Sequence, residues 1–404
     1  MGHDMTEKDA GEPAAGLSRG RELALAAITG ATVANAYYIH PIISEVADGF
    51  GVSDAAIGVV PAFNQLALAL GILLLLPLGD RFGNRNLSLI FASAQTAMLA
   101  VMAFARDFTL FVGASTLLGF VTIVPYLLPA YVSKRVPVER LGQATATLTV
   151  GIIIGILIAR VGAGILTEHF GWRSVYIAAA LIMLTITLSL PRVMEPARKT
   201  GRSEAKESYA ALLVSIVPLL RQHPEVFLSG AIQALNFGIF LSVWLGLALH
   251  LTSDEMGYGV DTVGYLAGIA AVSIYFTPRI GRWADSMGPR KARFLIALVQ
   301  FAAVALYYPL GWNLWLLIIP IIITNVVGPS IDVTSRMTFL SLDPGVRTRL
   351  MTAFIVMMFV GGGIASWAGT YAYEHAGWAG NSMLAIAMSV AVVVLSWVAT
   401  RKGE

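Results

Sequence analysis

The chain has 404 residues, of which 57% are hydrophobic and only 13% charged, with a mean hydropathy of +0.74 and a net charge of +3. A soluble globular chain carries about a quarter charged residues, so lipid is the main solvent here and a soluble enzyme is excluded. The basic residues sit in short loops between apolar runs, which argues for membrane orientation and against a nucleic-acid partner.

In chain order, residues 1–20 are polar with scattered Gly, Ala and Pro and read as a disordered cytoplasmic tail. Apolar runs of roughly 18 or more residues can cross a bilayer as helices. Such runs predict helices at 22–43, 56–78, 87–105, 109–132, 142–166, 172–190, 226–250, 262–280, 292–310, 312–335, 350–371 and 381–400. None alternates apolar with polar residues as a barrel strand would. The expected fold is an all-α polytopic membrane protein of twelve helices, with a bundle over 21–191, a cytoplasmic linker over 192–222 and a second bundle over 223–404.

Placing the amino terminus inside gathers Arg19, Arg21, Arg85, Lys134, Arg135, Arg279 and Lys291, among others, on the inner side. The outer side keeps only Arg106 and Arg173. That asymmetry places both termini and the linker in the cytoplasm of a cell with one such inner membrane. There is no Cys, and the six His lack ligand spacing, so neither a metal nor any other cofactor is implied.

Three segments recur at nearly one offset. Glu168-His169-Phe170-Gly171-Trp172 returns 206 residues later as Glu374-His375-Ala376-Gly377-Trp378. The loop Gly79-Asp80-Arg81-Phe82-Gly83-Asn84-Arg85 returns after 205 as Ala284-Asp285-Ser286-Met287-Gly288-Pro289-Arg290, and Pro137-Val138-Glu139-Arg140 after 207 as Pro344-Gly345-Val346-Arg347. Two copies of one six-helix unit imply two bundles flanking a central path.

The pattern Gly281, Asp285, Gly288, Arg290, Lys291, with Asp80, Arg81, Gly83 and Arg85 in the first half, resembles the cytoplasmic loop signature of the major facilitator superfamily. The resemblance spans about residues 20–400. Asn35-Ala36-Tyr37-Tyr38-Ile39-His40-Pro41 and Pro77-Leu78-Gly79-Asp80-Arg81 are similar to its bacterial drug and metabolite efflux branch, which often has Gln where His40 stands. Three positions depart from the family pattern: Leu76 replaces a leading Gly, Ser115 replaces the helix 4 Arg of many proton-coupled exporters, and the glycines of helix 5 lack a following Pro. What the resemblance implies is a secondary transporter for a small organic molecule, embedded in the bilayer as a monomer and coupled to protons.

Candidate sites follow from polar residues inside apolar spans, which are costly there. The resemblance implies a cavity lined by helices 1, 2, 4, 5, 7, 8, 10 and 11. Helix 1 offers Asn35, Tyr37 and Tyr38, and helix 2 offers Asn64 and Gln65. On helix 7, Gln233, Asn236, Phe240 and Trp244 recur at spacings of three, four and four, hence on one face suited to an amphipathic molecule. Asn325 lies between Pro320 and Pro329, where a kink would expose it. Arg160 falls about 27 Å along helix 5 at 1.5 Å per residue. There it either snorkels to headgroups or faces the cavity and selects an anion such as a carboxylate.

His40 and Glu45, at the outer end of helix 1, are candidates to take up protons or else form an ordinary solvated helix end. Asp332 and Arg336 are spaced for an ion pair near the end of helix 10, with Asp332 a candidate proton site. The loop signature reads as a gate. Asp80 and Asp285 would pair with arginines, Arg140 and Arg347 being the expected partners and Arg81, Arg282 and Arg290 neighbours. No Gly-x4-Gly-Lys-Ser/Thr loop is present to use ATP, and no His-Glu-x2-His or Gly-x-Ser-x-Gly supports an intramembrane enzyme. Efflux driven by proton entry is the favoured function. Uptake of an organic anion, by proton symport or facilitated, is the alternative, and a transporter-like sensor is the remote one.

Overall fold

Backbone amides find no water in hydrocarbon, so each crossing segment must satisfy its own, which a helix does. The computed structural model of the chain describes residues 17–80, 82–196, 215, 218–339 and 344–401. Among these, the first bundle comprises α1 (Arg19–Ala34), α2 (Asp54–Gly79), α3 (Asn84–Phe104), α4 (Phe108–Ser133), α5 (Val138–Phe170) and α6 (Trp172–Val193). The second comprises α7 (Pro224–Leu251), α8 (Val260–Met287), α9 (Pro289–Leu310), α10 (Leu314–Met337), α11 (344–375) and α12 (378–401). Residues 1–16 of the expected tail, most of the expected linker and Arg81 lie outside the described residues, as do the side chains of Asp80 and Arg347.

Helices α11 and α12 run on as Pro344–Arg401, divided where Ala376 and Gly377 leave helical geometry. Gly377 has φ 56°, and Gly171, its counterpart in the repeated Glu-His-x-Gly-Trp segment, has φ 76°. Both are left-handed values that glycine alone adopts without strain, so the repeat in sequence is also a repeat in backbone.

The first span departs from the expected 22–43 helix. It ends at Ala34 and passes through turns, with Tyr37 N donating to Ala34 O at 2.9 Å and His40 N to Tyr37 O at 3.2 Å. It then resumes as the short helix Ile43–Phe50. Pro41 accounts for the break, because it offers no N–H and crowds the residue before it out of helical conformation.

Lipid gives helices no hydrophobic reason to associate, so close backbone contact must hold them. Gly30 of α1 lies against the main chains of Gly151 and Gly155 of α5, leaving no room for a side chain at any of the three. At the end away from the termini, Phe50, Phe111, Trp172 and Tyr176 interlock with centroids 5.3–5.6 Å apart. In the second bundle His250 stacks on Trp378 at 4.7 Å, and the Trp378 indole donates to Tyr307 O at 3.0 Å.

The bundles meet at this same end. A Cβ on Gly164 of α5 would lie 2.7 Å from Val260 O of α8, and one on Gly363 of α11 would lie 2.9 Å from Ala62 O of α2. The Glu374 carboxylate accepts from Ala55 N at 2.5 Å, so one bundle supplies an anion to the amino-terminal end of a helix in the other. The Glu168 carboxylate rests against Gly259 at the start of α8, the matching place in the repeat, where a Cβ would be 2.7 Å away. Halfway along, Tyr126 of α4 meets Phe359 of α11 edge-on at 6.3 Å. Beyond that level the bundles part: in Val272–Met287 only Ser273 and Ala284 are buried. The molecule is thus closed at one end and open at the end that carries its termini.

Glu374 should therefore act as a latch. In a Leu66→Cys background, Glu374→Ala is expected to raise the rate of labelling at position 66 by an impermeant maleimide severalfold. An unchanged rate would show that the glycine contacts alone hold this end shut.

Candidate functional site

Between the bundles lies a cavity of about 320 Å³. Its wall on α7 is the stripe Gln233, Asn236, Phe240 and Trp244, all facing inward as their spacing requires. The amides form a fixed chain. Gln300 Nε2 donates to Asn236 Oδ1 at 2.7 Å, while Asn236 Nδ2 donates to Gln233 Oε1 at 3.0 Å and Gly328 O at 3.1 Å. Phe240 stacks on Phe237 at 5.9 Å, giving a flat apolar surface beside the polar one.

Arg160 stands behind the cavity wall, in contact with Trp244 and Phe240, which line it. It does not snorkel to headgroups: it is 1% exposed and reaches from α5 across to the other bundle, its Cζ 3.7 Å from the Trp244 ring centre and 5.5 Å from that of Phe240. Nε and one terminal nitrogen have no hydrogen-bond partner, and no carboxylate pairs with it among the described residues. A desolvated cation on an aromatic face gains about 2 kcal/mol, whereas burying it unpaired costs several. Gly164 follows Arg160 by four residues and marks the face of α5 that meets α8, so the inward direction was available from spacing.

Other expected residues divide. Tyr37 lines the cavity because the chain breaks its helix after Ala34, and Asn325 lines it too. Asn325 is not freed by a kink: α10 continues through both prolines and Asn325 Nδ2 donates to Ile321 O at 2.8 Å. Asn35 and Asn64 are absent from the cavity wall and join helices instead. Asn35 Nδ2 donates to Gln95 Oε1 and Asn64 Nδ2 to Ser115 O, each at 2.8 Å. Tyr38 and Gln65 are buried outside that wall, and both amide atoms of Gln65 lack partners.

His40 is no solvated helix end. It is wholly buried, 5.1 Å edge-on from Tyr37, and neither ring nitrogen has a partner. Glu45, on the short helix beyond the span, has its carboxyl held above its ordinary value by partial burial and by Asp48 and Glu168. Asp332 and Arg336 form their ion pair at 2.9 Å, but on the cavity wall rather than at the membrane surface.

Of the gate residues, Arg140 pairs with Glu22 of its own bundle at 2.7 Å. Asp285 and Arg282 are exposed and Arg290 half-buried, with no ion pair to any of them among the described residues. The expected set of lining helices needs one correction, since α9 contributes Gln300 and Tyr307, while α2, α4 and α8 contribute nothing to this cavity. Tyr307 is held by Thr324 across 2.8 Å. Gln300 carried the same signal as the polar residues of the other spans, an amide inside an apolar run.

The sequence profile of the Major Facilitator Superfamily matches residues 25–365. The chain belongs to this superfamily. It is 25% identical to the uncharacterized transporter YgaY of Escherichia coli O157:H7 over 370 residues, covering 91% of this chain and 93% of that one. It is 29% identical to a probable transporter of Streptomyces coelicolor, covering 93% and 86%, and 24% identical to the multidrug resistance protein MdtG of Klebsiella pneumoniae over 55% and 53%. Among solved structures, an inward-facing, occupied bacterial homolog of the human lysosomal transporter Spinster superposes with TM-score 0.75 at 16% identity, covering 94% and 96%. The nucleoside transporter NupG superposes with TM-score 0.74 at 14% identity, covering 94% and 99%. These superpositions carry the fold: two pseudo-symmetric six-helix bundles with a cavity between them.

Gln300→Leu leaves Asn236 Oδ1 unpaired, which costs about 1–3 kcal/mol. The thermal unfolding midpoint in detergent is expected to fall accordingly; an unchanged midpoint would mean that the amide chain adds no stability.

Proposed function

We propose that this transporter moves an amphipathic small organic molecule bearing an anionic group, such as a carboxylate, across the cytoplasmic membrane by alternating access. The observation that carries this reading is Arg160, a buried, unpaired guanidinium stacked on Trp244, which itself lines the cavity between the bundles. The amphipathic part of the ligand would lie on Phe240 and Trp244 and hydrogen-bond to Gln233, Asn236 and Asn325. Its anionic group would approach Arg160 on the side not covered by the indole. One chain supplies the whole cavity, which suits a monomer.

The excess of Arg and Lys near the termini supports a cytoplasmic position for both ends and for the linker. With that orientation the open end faces inward. In the outward-facing state Asp80 and Asp285 would close that end against Arg140, Arg347 and their neighbours, Arg140 exchanging its partner Glu22 for a residue of the gate.

Efflux coupled to proton entry is the direction we favour, in keeping with the resemblance of the first span to exporters and the partial match to MdtG. Asp332, paired with Arg336 on the cavity wall, is the proton site this reading selects, with His40 and Glu45 on the outer path. Uptake of an organic anion is the second reading. It is favoured by Arg160 together with Ser115, which stands where exporters carry Arg and whose carbonyl merely accepts from Asn64.

Two experiments test these assignments. In detergent, organic carboxylates are expected to raise the unfolding midpoint of the wild type while their amides do not, and Arg160→Gln should abolish the shift; equal shifts from carboxylates and amides would remove the anionic group from the proposal. In proteoliposomes with an imposed pH gradient, Asp332→Asn is expected to leave exchange of substrate intact and lose gradient-driven accumulation, whereas normal accumulation would remove Asp332 from the coupling. The direction of that accumulation decides between efflux and uptake.

A further inference from the structure

A second cavity, of about 310 Å³, lies where α7 and α9 begin and α10 and α12 end, lined by none of the residues of the first. Arg290 and Arg293 of α9, Ser229 and Glu225 of α7, and Thr338 beyond α10 line it. Arg293 is 1% exposed, although its helix stands on the outside of the bundle. Its Nη1 donates to Ser229 Oγ at 2.9 Å and Ser335 Oγ at 3.3 Å, and Ser229 Oγ lies 3.0 Å from Thr338 Oγ1. Nε is buried without an acceptor, and no carboxylate pairs with Arg293 among the described residues. Glu225, the one acid on the wall among the described residues, is within 3.3 Å of His223 Nδ1. Two guanidiniums therefore face one carboxylate that already has a partner. The amino-terminal ends of two long helices open on the same space and add partial positive charge.

Hydroxyls cannot neutralise a buried guanidinium, so the arrangement is incomplete as it stands. A group with several anionic oxygens would complete it, accepting from Nε, from Arg290 and from the rotatable hydroxyls of Ser229 and Thr338. We propose that this cavity binds a phosphate-bearing group. Its position favours a phospholipid as the source. It lies at the level where the helices leave the bilayer on the side of the termini, and Phe227, Leu295 and Trp397, on three of the same helices, are exposed apolar side chains able to meet acyl chains. The site shares no residue with the central cavity and does not depend on what is transported.

The test uses the full chain in a neutral detergent, titrated with phosphatidylglycerol, with inorganic phosphate and with uncharged diacylglycerol. Bound lipid is counted by native mass spectrometry and protection read from thermal unfolding. Phosphatidylglycerol is expected to bind and protect, with Arg293→Gln and Arg290→Gln each weakening it by roughly tenfold, the loss of one charge-assisted contact. Arg290 is half-buried and makes no hydrogen bond among the described residues, so its variant keeps the test valid if Arg293→Gln fails to fold. Equal protection by inorganic phosphate, lost in the variants, would support the site and assign it a soluble ligand. Binding of phosphatidylglycerol unchanged in both variants, or matched by diacylglycerol, would overturn it.

Discussion

Hydrocarbon offers no hydrogen-bond partner, and the architecture follows from that constraint. It forces the chain into helices, and it permits non-helical backbone only where protein surrounds it, as in residues 35–42, where turns replace the ladder and Pro41 needs no donor. It also favours amides inside the spans that bond to one another or to backbone carbonyls. Asn236 does so with Gln233, Gln300 and the Gly328 carbonyl, and Asn35 with Gln95. Against that background the groups left unsatisfied become informative, and Arg160 and Arg293 are the two charged ones.

The contact between the bundles is of a different kind from the contacts within them. Within a bundle, glycine backbones interlock and buried amides tie helices together. Between bundles the closed end rests on glycine faces, the Glu374 carboxylate and the stacking of Arg160 on Trp244. Near the end of α8, Asp285 and Arg282 are exposed, with no ion pair to either among the described residues.

Much of this was legible in the sequence. Hydropathy set the spans and the repeat set the two bundles, down to the matching left-handed glycines at 171 and 377. The spacing of Gln233, Asn236, Phe240 and Trp244 set them on one face of α7, and all four line the cavity. What single-residue polarity could not separate was lining from glue: Asn35 and Asn64 carry the same cost as Asn236 but turn toward neighbouring helices, a rotation fixed by packing rather than by composition. Distance along the helix gave the depth of Arg160 and left its direction open between headgroups and interior, and it placed Asp332 near a helix end although its side chain lines the cavity. Gln300 was passed over because the family expectation left α9 out of the cavity, although the physical signal was the same.

Relative movement of the bundles is the claim most directly measurable, and the natural absence of Cys makes the chain a ready background for paired spin labels. Double electron–electron resonance would follow one pair across the closed end, on α2 and α11, and one across the open end, on α5 and α8. Alternation predicts that conditions which lengthen the first distance shorten the second, in one shared population change. Two distances that stay fixed under every ligand and pH, or that vary independently of each other, would contradict it.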